Sequence, residues 1–278
     1  MKRKKAGQVA AFLMMLLVTG LMLFPLVWLL SASFQGPGEI YLIPFHWLPE
    51  QFRFENYLVA WTEGGLANAV SSSVKVSIIY MVLHLVICSV TGYTFAKYEF
   101  RFKNLLFLLI LGTMMIPQEL TFLPLYNIVK RLQLVNSYFG VALPLCVSAT
   151  GIFMMRQFAR SIPNEILEAA RMDGCTDLML FLRVGLPLLR EGMVALAILA
   201  FSYIWNEFTW SKVVLMSNEK STLPLALTAM ISNIQTNNSF SISNVLASSV
   251  VAMIPVITVF VLFQKNFIES MSASGLKG

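Results

Sequence analysis

Two histidines, three cysteines and fourteen carboxylates are the groups in this 278-residue chain that could do acid–base, nucleophilic or metal chemistry. Their spacing excludes most of it. His46 and His84 lie far apart, and the chain holds neither an H-E-x-x-H pair nor a Cys–His ligand spacing. No G-x-S-x-G elbow presents a serine nucleophile. With no Gly-Lys dipeptide there is no G-x-x-x-x-G-K-S/T phosphate loop, so the chain is not expected to hydrolyse ATP itself. Catalytic residues, metal ligands and cofactors are not expected. What remains are carboxylates in two unusual settings. Glu119 and Glu207 interrupt apolar runs, and Glu168 opens the run Glu168-Ala169-Ala170-Arg171-Met172-Asp173-Gly174.

A carboxylate at membrane depth is costly, so it faces a cavity, a partner or the interface. Glu119 and Glu207, with Gln118, Tyr203 and Asn206, could line a water-filled path where hydroxyl-rich solutes exchange hydrogen bonds. Alternatively, both glutamates reach the interface or pack between helices. His84 offers a similar choice between a packing residue bonded to a neighbouring helix and a proton relay. For the acidic-alanine run the chemistry is recognition. Ala169 and Ala170 form a smooth strip, Glu168 can receive a charge-assisted hydrogen bond, and Phe181 and Leu182 could anchor in an apolar pocket. The same pattern also suits an interfacial helix with solvated charges and its apolar face in lipid.

The elements that must carry these residues follow from composition. Hydrophobic residues make up 57% of the chain and charged ones 12%, too few charges to cover a soluble protein of this size. Disorder is excluded by the same numbers. A bilayer core needs roughly 20 apolar residues in a helix, and six stretches meet this: 9–32, 76–96, 104–126, 132–155, 192–211 and 245–264. Lys2, Arg3, Lys4 and Lys5 before the first stretch also fit a signal peptide. The apolar run exceeds a cleavable core, so an uncleaved anchor is expected. With the N-terminus inside, fourteen of the twenty Lys and Arg fall on inner segments, which places both termini in the cytoplasm. In that setting a net charge of +6 marks inner loops, not nucleic-acid binding.

The loops differ in character. Ile43-Pro44-Phe45-His46-Trp47-Leu48-Pro49 suits headgroup depth, and Thr222–Ser232 is too short to cross. Residues 156–191 form the longest inner loop. There Ser161-Ile162-Pro163 suits a helix start and Gly174 a left-handed helix end. A second helix is expected from Thr176 to Val184, breaking before Pro187.

Glu168-Ala169-Ala170, three residues, Gly174, nine residues, then Val184-Gly185-Leu186-Pro187 resembles the EAA loop of binding-protein-dependent ABC importer permeases. Every position of that motif matches except Val184, where Ile is usual. Phe54-Glu55-Asn56-Tyr57, Met115-Ile116-Pro117, Trp205-Asn206-Glu207-Phe208 and the ending Gly275-Leu276-Lys277-Gly278 resemble the carbohydrate-uptake branch. The resemblance covers nearly the whole chain.

It implies an all-α polytopic membrane protein of six transmembrane helices with the type I ABC importer permease fold. Residues 1–8 would be a basic cytoplasmic N-terminus, 9–32 the first helix and 33–74 an extracytoplasmic loop. Residues 75–265 would form a five-helix core carrying the EAA loop at about 160–190, and 266–278 a cytoplasmic tail. The protein would sit in the lipid of a bacterial cytoplasmic (inner) membrane. It would pair with a second permease as a heterodimer, rest on two cytoplasmic ATPase subunits and receive a sugar or oligosaccharide from an extracytoplasmic binding protein. Glu168, Ala169, Ala170, Asp173, Gly174, Phe181, Leu186 and Pro187 would then be the ATPase-coupling residues. A proton-coupled secondary transporter would instead need a carboxylate or histidine network and two related halves; a membrane scaffold would need no coupling loop.

Overall fold

The computed structural model describes residues 2–44, 46–236 and 240–275. Phe45 and the ending Leu276-Lys277-Gly278 lie outside them. Among the described residues all regular structure is helical. Three helices among the described residues are long and apolar enough to cross a membrane, or up to six if each of three bent pairs counts as one span. The chain forms two compact units, one built from residues up to Ala67 with Ala226–Ile254, the other from Asn68–Leu225 with the chain from Pro255 onward.

In the first unit, α1 (Lys2–Ala32) carries the apolar stretch Ala11–Ala32, most of which is exposed while Ala32 at its end is buried. The segment after it is held by polar bonds. Asn56, at the start of α2 (Glu55–Thr62), donates to the carbonyls of Ser33 and Gln35 at 2.8 and 2.9 Å. Ser33 Oγ and Tyr57 Oη lie 2.7 Å apart, and the Phe34 ring packs on Phe52, Phe54 and Tyr57. The expected outer loop therefore contains a helix and an aromatic cluster.

The second unit is organised on α3 (Leu66–Lys97), which begins at Leu66 rather than at residue 76. The third expected stretch is two helices, α4 (Lys103–Gly112) and α5 (Gln118–Arg131), bent by 105°. Pro117 is the reason: it forces Ile116 into extended backbone and cannot continue the preceding helix. The fourth begins only at Tyr138, because Gln133 and Asn136 take left-handed conformations. Asn136 Oδ1 in that pose accepts from Met216 N, Ser217 N and Ser217 Oγ. Its two pieces, α6 (Tyr138–Leu145) and α7 (Ala149–Ser161), bend by 54°. Ser137 and Ser148 cap them by accepting from the amides of Gly140 and Gly151.

The inner loop supplies α8 (Asn164–Met172) and α9 (Asp177–Leu188). Next, α10 (Arg190–Trp205) leaves α9 at 74° and ends at Trp205 rather than at 211, where α11 (Thr209–Val214) starts afresh. Two further helices are α12 (Leu223–Thr236) and α13 (Ile242–Gly275).

Without a hydrophobic force between helices in lipid, close approach depends on small residues. Gly92 on α3 faces α7 so closely that an added Cβ would stand 2.6 Å from Met155 Cβ and 2.7 Å from Arg156 N. On α7, Gly151 would meet Cys88 Sγ at 2.7 Å. His84 belongs to this contact. It is buried, its Nδ1 lies 2.9 Å from Cys146 O, and its ring stacks on Tyr80 at 4.9 Å. That is the packing role, bonded to a neighbouring element.

Candidate functional site

The acidic-alanine segment is α8, and its orientation follows from which side chains are buried. Leu167 is buried and Ala170 half-buried against the cluster around Tyr93 and Leu180. Glu168, Ala169, Asp173 and Gly174 lie on the exposed side. Ser161 does not start this helix. It ends α7 with its hydroxyl on Phe158 O at 2.7 Å, and Pro163 takes the N-cap position.

At the other end, Gly174 has φ +85°. Its amide donates to Arg171 O at 3.0 Å and that of Cys175 to Ala170 O at 3.1 Å. This pair of bonds is the Schellman motif, which needs a left-handed residue at Gly174. Thr176 then caps α9, its hydroxyl accepting from Met179 N at 3.4 Å. Contrary to expectation, α9 does not break before Pro187. Leu180–Gly185 widens into a π-helical turn and the chain runs on to Leu188. In an α-helix the Pro187 ring would meet the carbonyl four residues back; the wider turn relieves that clash.

The π turn also decides where Phe181 points. Its ring packs inward on Tyr93 at 5.1 Å, so Phe181 is not an outward anchor. Gly185 makes room for the same tyrosine, whose Cε2 would be 2.7 Å from an added Cβ. Leu186 is half-buried and Pro187 exposed, both on the wall of a cavity of about 590 Å³ that Arg190 and Met193 also line. The most exposed large apolar side chain within the motif is Met172, at 89% accessibility. Sequence reading had passed over it. The signal was present, since Met172 lies four residues after Glu168 on the face opposite Leu167.

The loop is tied to the end of α3. Lys97 Nζ donates to Ile162 O and Asn164 Oδ1 at 2.5 and 2.8 Å. Tyr98 Oη donates to Asp177 Oδ1 at 3.1 Å, and Arg171 Nη2 reaches the same oxygen at 3.3 Å. Burial, and then the bond to Asp177, push the Tyr98 phenol above the ordinary tyrosine range.

The second set of candidates is only partly brought together. Gln118 and Tyr203, both exposed, exchange hydrogen bonds at 2.9 and 3.2 Å, with the Tyr80 ring 5.9 Å from that of Tyr203. Glu119 is exposed at the start of α5, and Asn206 turns back to Ser202 O of its own helix at 2.8 Å. Glu207 has a structural task. Its carboxylate accepts from Trp210 N at 2.7 Å, Ser211 N at 2.8 Å and Ser211 Oγ at 2.5 Å, which caps α11. Glu207→Ala is expected to cost about 2 kcal/mol through these charge-assisted bonds. The alanine variant should unfold at lower temperature in detergent, and Glu207→Gln should recover part of the loss; an unchanged melting temperature would contradict the cap.

Comparison with known proteins fits this architecture. A bacterial ABC transporter involved in the import of the acidic polysaccharide alginate contains a chain of the same fold. The TM-score is 0.84, covering 96% of this chain and 98% of that one at 23% identity. The arabinooligosaccharides transport system permease protein of Halalkalibacterium halodurans is 38% identical over 92% of this chain and 91% of its own length. The diacetylchitobiose uptake system permease protein of Streptomyces coelicolor is 30% identical over 93% and 85%. Residues 88–273, which contain the capped acidic helix, the π turn and the helices they join, match the family described as "Binding-protein-dependent transport system inner membrane component". With the motif, its Gly174 cap and the all-helical membrane architecture in agreement, the chain belongs to that family and is a permease subunit of an ABC importer.

Proposed function

We propose that this permease moves a short sugar oligomer inward across a bacterial cytoplasmic membrane. It would work with a second permease, two cytoplasmic ATPase subunits and an extracytoplasmic solute-binding protein. The observation that carries the substrate class is the 38% identity, over 92% of the chain, to a permease for arabinooligosaccharides. Both termini and the α8–α9 loop face the cytoplasm in this reading, supported by fourteen of twenty Lys and Arg on inner segments.

In this mechanism Glu168, Ala169, Asp173 and Gly174 form the face that meets the ATPase, with Met172 as its apolar contact, and Ala170 packs the helix onto the body behind it. Phe181, Leu186 and Pro187 act behind it, as the packed base of the loop. ATP binding closes the ATPase pair, the docked loop moves with it, and the spans rock toward an outward-open state; hydrolysis resets them. Such coupling requires that the loop bind the two ATPase states with different free energy.

Gln118 and Tyr203 are the members of the proposed solute path that the geometry favours, because a neutral amide and a phenol already paired suit exchange with sugar hydroxyls. Glu119, exposed beside Gln118, belongs to the same proposal. Asn206 and Glu207 support the wall of the path from behind. Gln118→Ala and Tyr203→Phe are each expected to lower uptake of labelled arabino-oligosaccharides by about three- to tenfold, the range of one or two hydrogen bonds. ATPase association should not change. Uptake at the wild-type rate in both variants would take these residues off the path.

A further inference from the structure

We propose that Lys97 and Tyr98, at the end of α3, are the rigid link through which the inner loop drives the spanning body, and that Asp177 is the positioning residue on which this link closes. The inference rests on the reading of α8 as the ATPase contact and adds how its motion is delivered.

Four points of the loop are held by one short stretch of chain. Lys97 grips its entry through Ile162 O and Asn164 Oδ1. Tyr98 grips the start of α9 through Asp177. Arg171, in the last turn of α8, bonds the same Asp177 oxygen, and its guanidinium lies 5.8 Å from the Tyr98 ring. One turn back along α3, Tyr93 packs on Phe181 and fills the space left by Gly185.

The α8–α9 connection runs through Gly174, a residue with little torsional preference of its own. By bridging Arg171 and Tyr98, Asp177 fixes the angle at that turn and joins both helices to α3. Energy passes between distant sites through contiguous elements with discrete arrangements. An open turn would let the ATPase move α8 without moving α3. The two bonds on Asp177 are exposed and individually weak, so their loss should appear in coupling rather than in folding.

The test uses the full importer complex in vesicles, with solute uptake and ATP hydrolysis measured on the same preparation. Asp177→Ala should keep ATPase association and hydrolysis within about twofold while solute moved per ATP falls at least threefold. Asp177→Glu should restore most of that ratio. Tyr98→Phe, which removes one hydroxyl and leaves the ring packing, should shift the ratio in the same direction. An unchanged ratio in both Asp177→Ala and Tyr98→Phe overturns the proposal. So does a loss of ATPase association large enough to account for the lost uptake. Failure of the underlying docking reading shows separately, as full ATPase association in a Glu168→Lys complex with the link intact.

Discussion

Replacing Gly174 by Asp is expected to abolish uptake and to release most of the ATPase from the complex, while the protein stays folded in the membrane. The residue sits at φ +85° with no heavy atom within 4 Å of an added Cβ, so a side chain meets open space but a strained torsion. Left-handed backbone costs an ordinary residue such as Ala about 1–2 kcal/mol and Asp or Asn less, so for Asp the strain on the two bonds that end α8 is the smaller effect. Asp also adds a negative charge beside Asp173, near Glu168. Both effects fall on the proposed docking face and little on the buried core. Three substitutions separate them. Gly174→Ala should reduce uptake partially, Gly174→Asn should do least because Asn tolerates this torsion without charge, and Gly174→Asp should do most. Uptake and co-purification with the ATPase are the measurements. Wild-type uptake by Gly174→Asp would mean that the turn is not part of the docking face.

The second large effect is expected at Gly92→Val, and it is a folding effect. Two of the nearest atoms to an added Cβ are Met155 Cβ and the backbone nitrogen of Arg156, at 2.6 and 2.7 Å. Neither is the far end of a flexible side chain, so α3 and α7 must separate. Ile152, Met155 and Ala159 are buried there, and overpacking of this kind costs about 3 kcal/mol. The variant should accumulate poorly and aggregate at lower temperature in detergent. Gly20→Val is the matched control, since nothing lies within 4 Å of that position. Equal thermal behaviour of the two variants would contradict the close crossing.

Much of the site was legible from residue order because its rules are local. Helix capping relates residues a few positions apart, so Gly174 after a run of helix formers announced the left-handed turn. The resemblance of residues 168–187 to the EAA motif then supplied a task that chemistry alone had left open. The apolar stretches were legible for a different reason: lipid acts as a solvent on composition. Their ends were not. Ile116-Pro117 turns the third stretch by 105°, and the fifth ends early at Trp205, beyond which Glu207 caps a new helix.

The sequence by itself determined that this is a membrane protein of apolar helices carrying one exposed, capped, acidic-alanine segment, because solvent matching and capping act at short range. Only the tertiary structure decided which side chains face one another. Phe181 turned inward on Tyr93 because a π turn, with Gly185 opposite the ring, gave it room. Tyr98 and Asp177, 79 positions apart, met because two helix ends converge. The physical reason is the same in each case: a side chain's partner is set by where remote backbone comes to rest, and no local preference encodes that.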